Sequence, residues 1–231
     1  TISPSGKEVG PFLSLEQAIL PQTTSDQNST AVCSAYNLVG SFAGALGALA
    51  VGLPSLFSLA AIPGYRLLVW GYVASALLLA VLFALLSPAV EATKKTKPTE
   101  RKVGLQKSRS IVTRLAWLFA LDAFAGAFIV QSIVAYWFYL RYQTDLTALG
   151  GIFFGTNIFA ALSFLAAPAM ARRFGLLNTM VFTHLPSNVL ILLVPLMPNV
   201  EWATAVLLLR YSLSQMDVPT RQSYTMAVVD A

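Results

Sequence analysis

The chain has 231 residues, of which 56% are apolar and only 11% charged, and its formal net charge is +5. An ordinary soluble domain carries about 25% charged residues, so this composition excludes a water-soluble globule and predicts a membrane protein. A single cysteine, Cys33, and a single histidine, His184, leave no intramolecular disulfide and no metal constellation, and no metal or other cofactor is expected.

Thr1 to Gly10 reads TISPSGKEVG, without the basic leader or apolar segment of a signal peptide. With no initiator Met, the chain reads as a fragment or a trimmed chain. Crossing about 30 Å of hydrocarbon takes roughly 20 apolar residues in a helix. The first 20 residues read as the tail of such a segment, closed by PQTTSDQNST at 21–30. Five apolar runs follow, at about 35–60, 63–88, 111–140, 148–170 and 176–197. A sixth, about 201–229, opens with WATAVLLL and turns more polar. Pro63-Gly64, RYQTDLTALGG at 141–151 and MPNVE at 197–201 supply the breaks. The prediction is an all-α polytopic bundle of seven helices, the first incomplete.

Between Lys94 and Arg114 the sequence KKTKPTERKVGLQKSRSIVTR carries eight basic residues against Glu100 alone. Basic loops stay on the cytoplasmic side, so residues 91–110 form a cytoplasmic linker. Arg172 and Arg173 in ARRFG fall on the same side if 111–140 runs outward and 148–170 returns. The positive charge is thereby explained by topology, and no nucleic-acid partner is expected.

KEVGPFLSLEQAIL (Lys7 to Leu20) and MDVPTRQSYTMAVV (Met216 to Val229) align at a constant offset of 209 residues. Glu8 meets Asp217, Val9 meets Val218, Ser14 meets Ser223 and Ala18 meets Ala227. Six helices separate the two stretches, the spacing of a duplicated six-helix unit. Ionisable groups inside a membrane are costly and face cavities or partners. Here they concentrate in three helices: Lys7 and Glu8 in the first, Asp122 in LFALDAFAGAF in the fourth, and Arg210, Asp217 and Arg221 in the seventh.

This pattern resembles the major facilitator superfamily of secondary transporters. In that family twelve helices form two six-helix halves, and helices 1, 4, 7 and 10 line a central cavity. The phrases SPSGKEVGPFLSLEQA, FTHLPSN and SQMDVPTRQSY are similar to its bacterial or archaeal members. The resemblance implies that residues 1–90 end the N-terminal half (helices 4–6), 91–110 link the halves and 111–231 start the C-terminal half (helices 7–10). Three helices would precede Thr1 and two would follow Ala231. The family's gating loop, built on an Asp-Arg-x-Gly core, would lie at Pro168–Leu177. Arg173 and Gly175 match it, whereas Arg172 stands where the acid belongs. GSFAGALGALAVGLP approaches the family's antiporter motif without its Gly-Pro pair. Gly40, Gly44, Ala48 and Gly52 recur every four residues there, a stripe for close helix packing.

Asp122 lies about 16 Å into its span at 1.5 Å per residue. Asp217 and Arg221 are spaced i,i+4 and Arg210 is i−7 from Asp217, so a continuous helix puts all three on one face. A substrate contact, a gating ion pair and a charge-neutralising salt bridge all fit that spacing. His184 reads as an interhelical hydrogen-bonding histidine more than a proton relay, and Asn37, Gln131 and Asn157 as hydrogen-bonding residues between helices. One histidine without HExxH or GxSxG argues against an enzyme. The resemblance implies a secondary transporter of a small solute, coupled to protons or another ion, in a cell (plasma or inner) membrane. The alternative is a non-transporting scaffold or a truncated relic. On either reading the helices ending near Leu20, at 111–140 and at 201–229 converge on one polar cavity, with 63–88 and 176–197 outside it.

Overall fold

The computed structural model describes residues 29–57, 60–85 and 109–229. Lys7, Glu8, the N-terminal member of the repeat and the basic linker up to residue 108 lie outside the described residues. All regular structure among the described residues is helical: α1 Ser29–Ala50, the single turn α2 Leu53–Leu56, α3 Ala61–Ala84, α4 Arg109–Gly126, α5 Gln131–Tyr142, α6 Leu146–Phe174, α7 Leu176–Leu193, α8 Val200–Ser214 and α9 Asp217–Val229. Short 3-10 turns follow α4 at Ala127–Ile129 and α7 at Val194–Leu196.

Five stretches of the described residues are long and apolar enough to cross a membrane: Thr30–Ser55, Ile62–Leu82, Ala116–Tyr142, Leu146–Phe174 and Leu176–Leu196. They coincide with the five runs read from the sequence. Their outward faces are apolar, with Trp70 69% and Trp117 75% exposed. Such a surface is stable against lipid tails and unstable against water. Every described side chain of α3 is exposed except at Leu68 and the buried Gly64. Contact is made at its start, where a Cβ on Gly64 would lie 2.8 Å from the Pro54 Cβ.

The interior is organised by α6, which packs against α1, α7, α8 and α9. Asp145 starts it by accepting from the Ala148 N–H at 2.7 Å, and Gly175 ends it at φ +83°, a conformation glycine adopts without strain. Arg172 and Arg173 fill its last turn and complement the helix dipole. Phe138, Leu149, Ile152, Phe153, Val194, Ala203 and Leu207 form the apolar core. Phe138 and Tyr142 lie against Trp137, and the Tyr142 hydroxyl donates to the Met197 carbonyl at 2.8 Å.

The small-residue stripe of α1 meets α6 at close range, though not along its whole length. A Cβ on Gly44 would stand 3.1 Å from Asn157 Oδ1, and one on Gly52 3.6 Å from Thr147 Cγ2. The tightest approach belongs to Gly150 of α6, whose added Cβ would come 2.8 Å from the Ala48 carbonyl oxygen. Gly40 has nothing within 4 Å of such a Cβ, so its place in the expected packing stripe is corrected. At that level α1 has passed beyond the close crossing.

Two expected helices are broken. The span Ala116–Tyr142 is interrupted after Gly126 by the 3-10 turn and by Val130 in an extended conformation (ψ 153°). The run at 201–229 divides at Gln215–Met216 into α8 and α9, so the i−7 spacing from Asp217 no longer places Arg210 on a shared face.

Candidate functional site

Both breaks lie beside an acid. Asp122 is one turn before the interruption at Gly126, and Asp217 is the first residue of α9. In α4, Asp122 is the only described side chain that is not exposed. At the start of α9 the unpaired N–H groups and the helix dipole favour a carboxylate at Asp217. Pro219, third in α9, costs nothing there because the first-turn N–H groups have no intrahelical acceptor. This accounts for the aspartate and proline in SQMDVPTRQSY, where a continuous helix would have been kinked.

The two acids meet on a histidine. His184 Nε2 lies 3.3 Å from Asp122 Oδ1, and His184 Nδ1 lies 3.2 Å from Asp217 Oδ2. Arg221 Nη1 donates to Asp122 Oδ2 at 3.0 Å. Three helices therefore contribute to one ionic cluster: α4 with Asp122, α7 with His184, and α9 with Asp217 and Arg221. Asp217 is the most covered, its side chain 12% exposed, while the other three are between 34% and 40% exposed. The cluster is therefore not fully enclosed by the described residues. Below it, α7 turns a row of small hydroxyl residues, Thr179, Thr183 and Ser187, into the interior. Thr179 and Thr183 donate to carbonyls one turn back, at Gly175 and Thr179, and satisfy themselves inside the membrane.

Proton count follows from the geometry. A neutral imidazole carries one N–H and one lone pair. With carboxylate oxygens facing both nitrogens, the second contact becomes a hydrogen bond when one further proton sits on the ring or on a carboxyl group.

Several residue expectations change here. The Asp217–Arg221 pair was expected to screen its charges along one helix; Asp217 also reaches His184 of α7, and Arg221 reaches Asp122 of α4. The helix at 176–197, expected outside the polar centre, supplies the bridging histidine. Arg210 has no part in the cluster's ion pairs. Its Cζ lies 5.2 Å from the Tyr211 ring centre and its Nε is buried without a hydrogen-bond partner. Arg172 and Arg173 are exposed at the end of α6, with Arg173 Cζ 5.3 Å from the Phe174 ring centre. Gly175 provides the turn into α7. His184, read from the sequence as an interhelical hydrogen-bonding histidine, does bond to acids on two other helices; that it bridges both was not read.

Among known proteins, the family model described as Major Facilitator Superfamily matches residues 9–230. A Saccharomyces cerevisiae protein described as "uncharacterized membrane protein YJR124C" is 27% identical over 256 residues. That alignment takes in 96% of this chain and 57% of the yeast protein, so the chain spans a little over half of its relative. No solved structure matches significantly. With nearly the whole chain matched by that model, and with apolar helices to cross a bilayer several times, this multi-pass membrane protein belongs to the Major Facilitator Superfamily.

Proposed function

We propose that the chain is part of a secondary active transporter of a small solute, coupled to protons and working by alternating access, with the Asp122–His184–Asp217–Arg221 cluster as its coupling site. One observation carries this reading: an imidazole held between carboxylates of two different helices, both helices being broken beside their acids. Discontinuous helices that present their ends to an ion or substrate are a recurring transporter device. A charge at this depth is costly unless it is paired or reached by water, and the part-exposed cluster has both. Gaining or losing the bridging proton changes which helices His184 holds together, which supplies the differential binding that a coupled conformational change needs.

In this reading α1 and α3 belong to the N-terminal half, residues 91–110 link the halves on the cytoplasmic side of a plasma or inner membrane, and α4 to α9 begin the C-terminal half. Lys7 and Glu8 would face the same cavity from the N-terminal half, as the repeat relating Glu8 to Asp217 implies. Arg172, Arg173 and Gly175 would form a reduced gating loop.

The test is a solute-uptake screen on cells expressing the protein, followed by Asp217→Asn. Uptake of the identified solute is expected to fall on the order of tenfold or more, corresponding to about 1.4 kcal/mol or more of lost coupling, with membrane insertion unchanged. Full uptake by Asp217→Asn would remove the cluster from the mechanism, and the absence of any transported solute would favour a scaffold.

A further inference from the structure

The buried stripe of α8 contains a cation. Ala203, Leu207 and Ser214 are buried, and at 100° per residue they fall with Arg210 within an arc of about 60°. Arg210 therefore stands on the inward face of α8, the helix that packs against α6 and α7. Its depth is set by the chain. Asn199 caps α8 by accepting from the Trp202 N–H. Arg210 lies eleven residues beyond that cap, or about 16 Å at 1.5 Å per residue, which is half of a roughly 30 Å hydrocarbon core. A Cβ on Gly155 would stand 3.0 Å from Leu208 Cδ2, so α6 crosses this level near its buried Thr156 and Asn157. Ser187 of α7, 2% exposed, reaches the same level from the other side of the α7–α8 turn, twelve residues before Asn199.

A guanidinium at this depth is costly unless it is paired or reached by water. The Arg210 Nε is buried without a hydrogen-bond partner, and no described acid forms an ion pair with this residue. The described acids are committed elsewhere. Asp122 and Asp217 bind His184, Asp122 also binds Arg221, Asp145 caps α6, and Glu201 sits in the exposed first turn of α8. The Tyr211 ring, centred 5.2 Å from the Arg210 Cζ, attracts the charge but carries none of its own to neutralise it. An arginine presents its donors as a rigid fork that matches a carboxylate or a phosphate. Ser187 brings a hydroxyl donor to the same level and no competing negative charge.

We infer that Arg210 binds an oxyanion, the carboxylate or phosphate group of the transported solute. The inference names the solute class of the transporter reading and rests on that reading. The solute supplies the negative charge that the described parts of α6, α7 and α8 lack around Arg210, so a neutral or cationic solute leaves the guanidinium unpaired and binds poorly. Half-way through the hydrocarbon, Arg210 lies too deep for the headgroups of either leaflet. The site precedes the interruption at Gln215–Met216 and the ionic cluster follows it, which keeps the solute's charge apart from Asp217.

Thermal unfolding of the purified full-length protein in detergent tests the site. Acetate, succinate and glycerol 3-phosphate are the probes, compared at constant ionic strength with acetamide, succinamide and glycerol. At least one oxyanion is expected to raise the midpoint by about 2 °C or more, and its neutral counterpart to leave it unchanged. Arg210→Gln should abolish that rise, while Arg210→Lys, which keeps the charge and loses the fork, should retain only part of it. With no probe present, Arg210→Gln should unfold at or above the wild-type midpoint, because the charge it removes has no partner. A midpoint lowered by several degrees would reveal an internal partner and overturn the site. A rise that survives Arg210→Gln, or no rise with any of the three oxyanions, would overturn it as well. The transporter reading is decided apart. Uptake of an uncharged or cationic solute, equal in wild type and Arg210→Gln, would discard the anion site and keep the transporter. Oxyanion binding that is lost in Arg210→Gln, by a protein that transports nothing offered to it, would keep the site and defeat the transporter reading.

Discussion

Both nitrogens of His184 face carboxylates on different helices, so the ring acts as a joint between them. Removing it leaves Asp122 with Arg221 and leaves Asp217 supported by the start of α9 alone. Hydrogen bonds to charged groups contribute about 1.5–3 kcal/mol each when covered, and these side chains are more than a third exposed at two of the three positions in the bridge, which screens them. His184→Ala is therefore expected to cost about 1–2 kcal/mol, read as a fall in the thermal unfolding midpoint in detergent. Asp217→Asn on top of it should cost less than it does alone, since its main partner is already gone. Strict additivity of the two changes would mean that the bridge is not a shared interaction. The acids and Arg221 were legible in the sequence because full charges in an apolar run are conspicuous. His184 was legible as an interhelical histidine but not as a bridge, because only the positions of Asp122 and Asp217 around it make it one. The pairing was also hidden: i,i+4 spacing indicates which side chains share a helix face, not which neighbouring helix offers a better partner.

The helices themselves follow from hydropathy, and all five long apolar runs became spans. Their interruptions do not. Gly126 and Pro219 are tolerated within membrane helices, so neither residue alone distinguishes a continuous helix from a broken one. The same holds for glycines, whose regular spacing on α1 is visible in the sequence while their neighbours are not. Gly150 and Gly40 make a sharp comparison. At Gly150 an added Cβ would meet backbone oxygen, so α1 and α6 must move apart, and Gly150→Ala is expected to destabilise by about 1–3 kcal/mol, as overpacking does. At Gly40 the space is open, and Gly40→Ala should be neutral or stabilising by up to about 1 kcal/mol from helix propensity. Unfolding of the two variants side by side checks this, and equal effects would contradict the close α1–α6 crossing.

At the scale of the molecule the ends of the bundle can be assigned to membrane faces. The Tyr142 hydroxyl bound to the Met197 carbonyl joins the connection before α6 to the connection before α8. Asp145 and Asn199 cap those two helices, Asn199 Oδ1 accepting from the Trp202 N–H at 3.0 Å. Residues 143–145 and 197–199 therefore share one end. From that end α6 runs 29 residues, or about 43 Å at 1.5 Å per residue, longer than the roughly 30 Å hydrocarbon core. Arg172 and Arg173 consequently emerge on the opposite face. Excess Lys and Arg mark the cytoplasmic side, so the proposed orientation predicts the arginine end and the basic segment 91–110 on the cytoplasmic face and the capped end outside. Cysteines introduced singly as Gln143→Cys and Asn199→Cys, with Cys33→Ala, are expected to react in intact cells with a membrane-impermeant maleimide. Lys102→Cys should react only after permeabilisation. Reaction of Lys102→Cys alone in intact cells would invert the orientation while keeping the fold. Reaction of just one of the two loop cysteines would break the shared end itself.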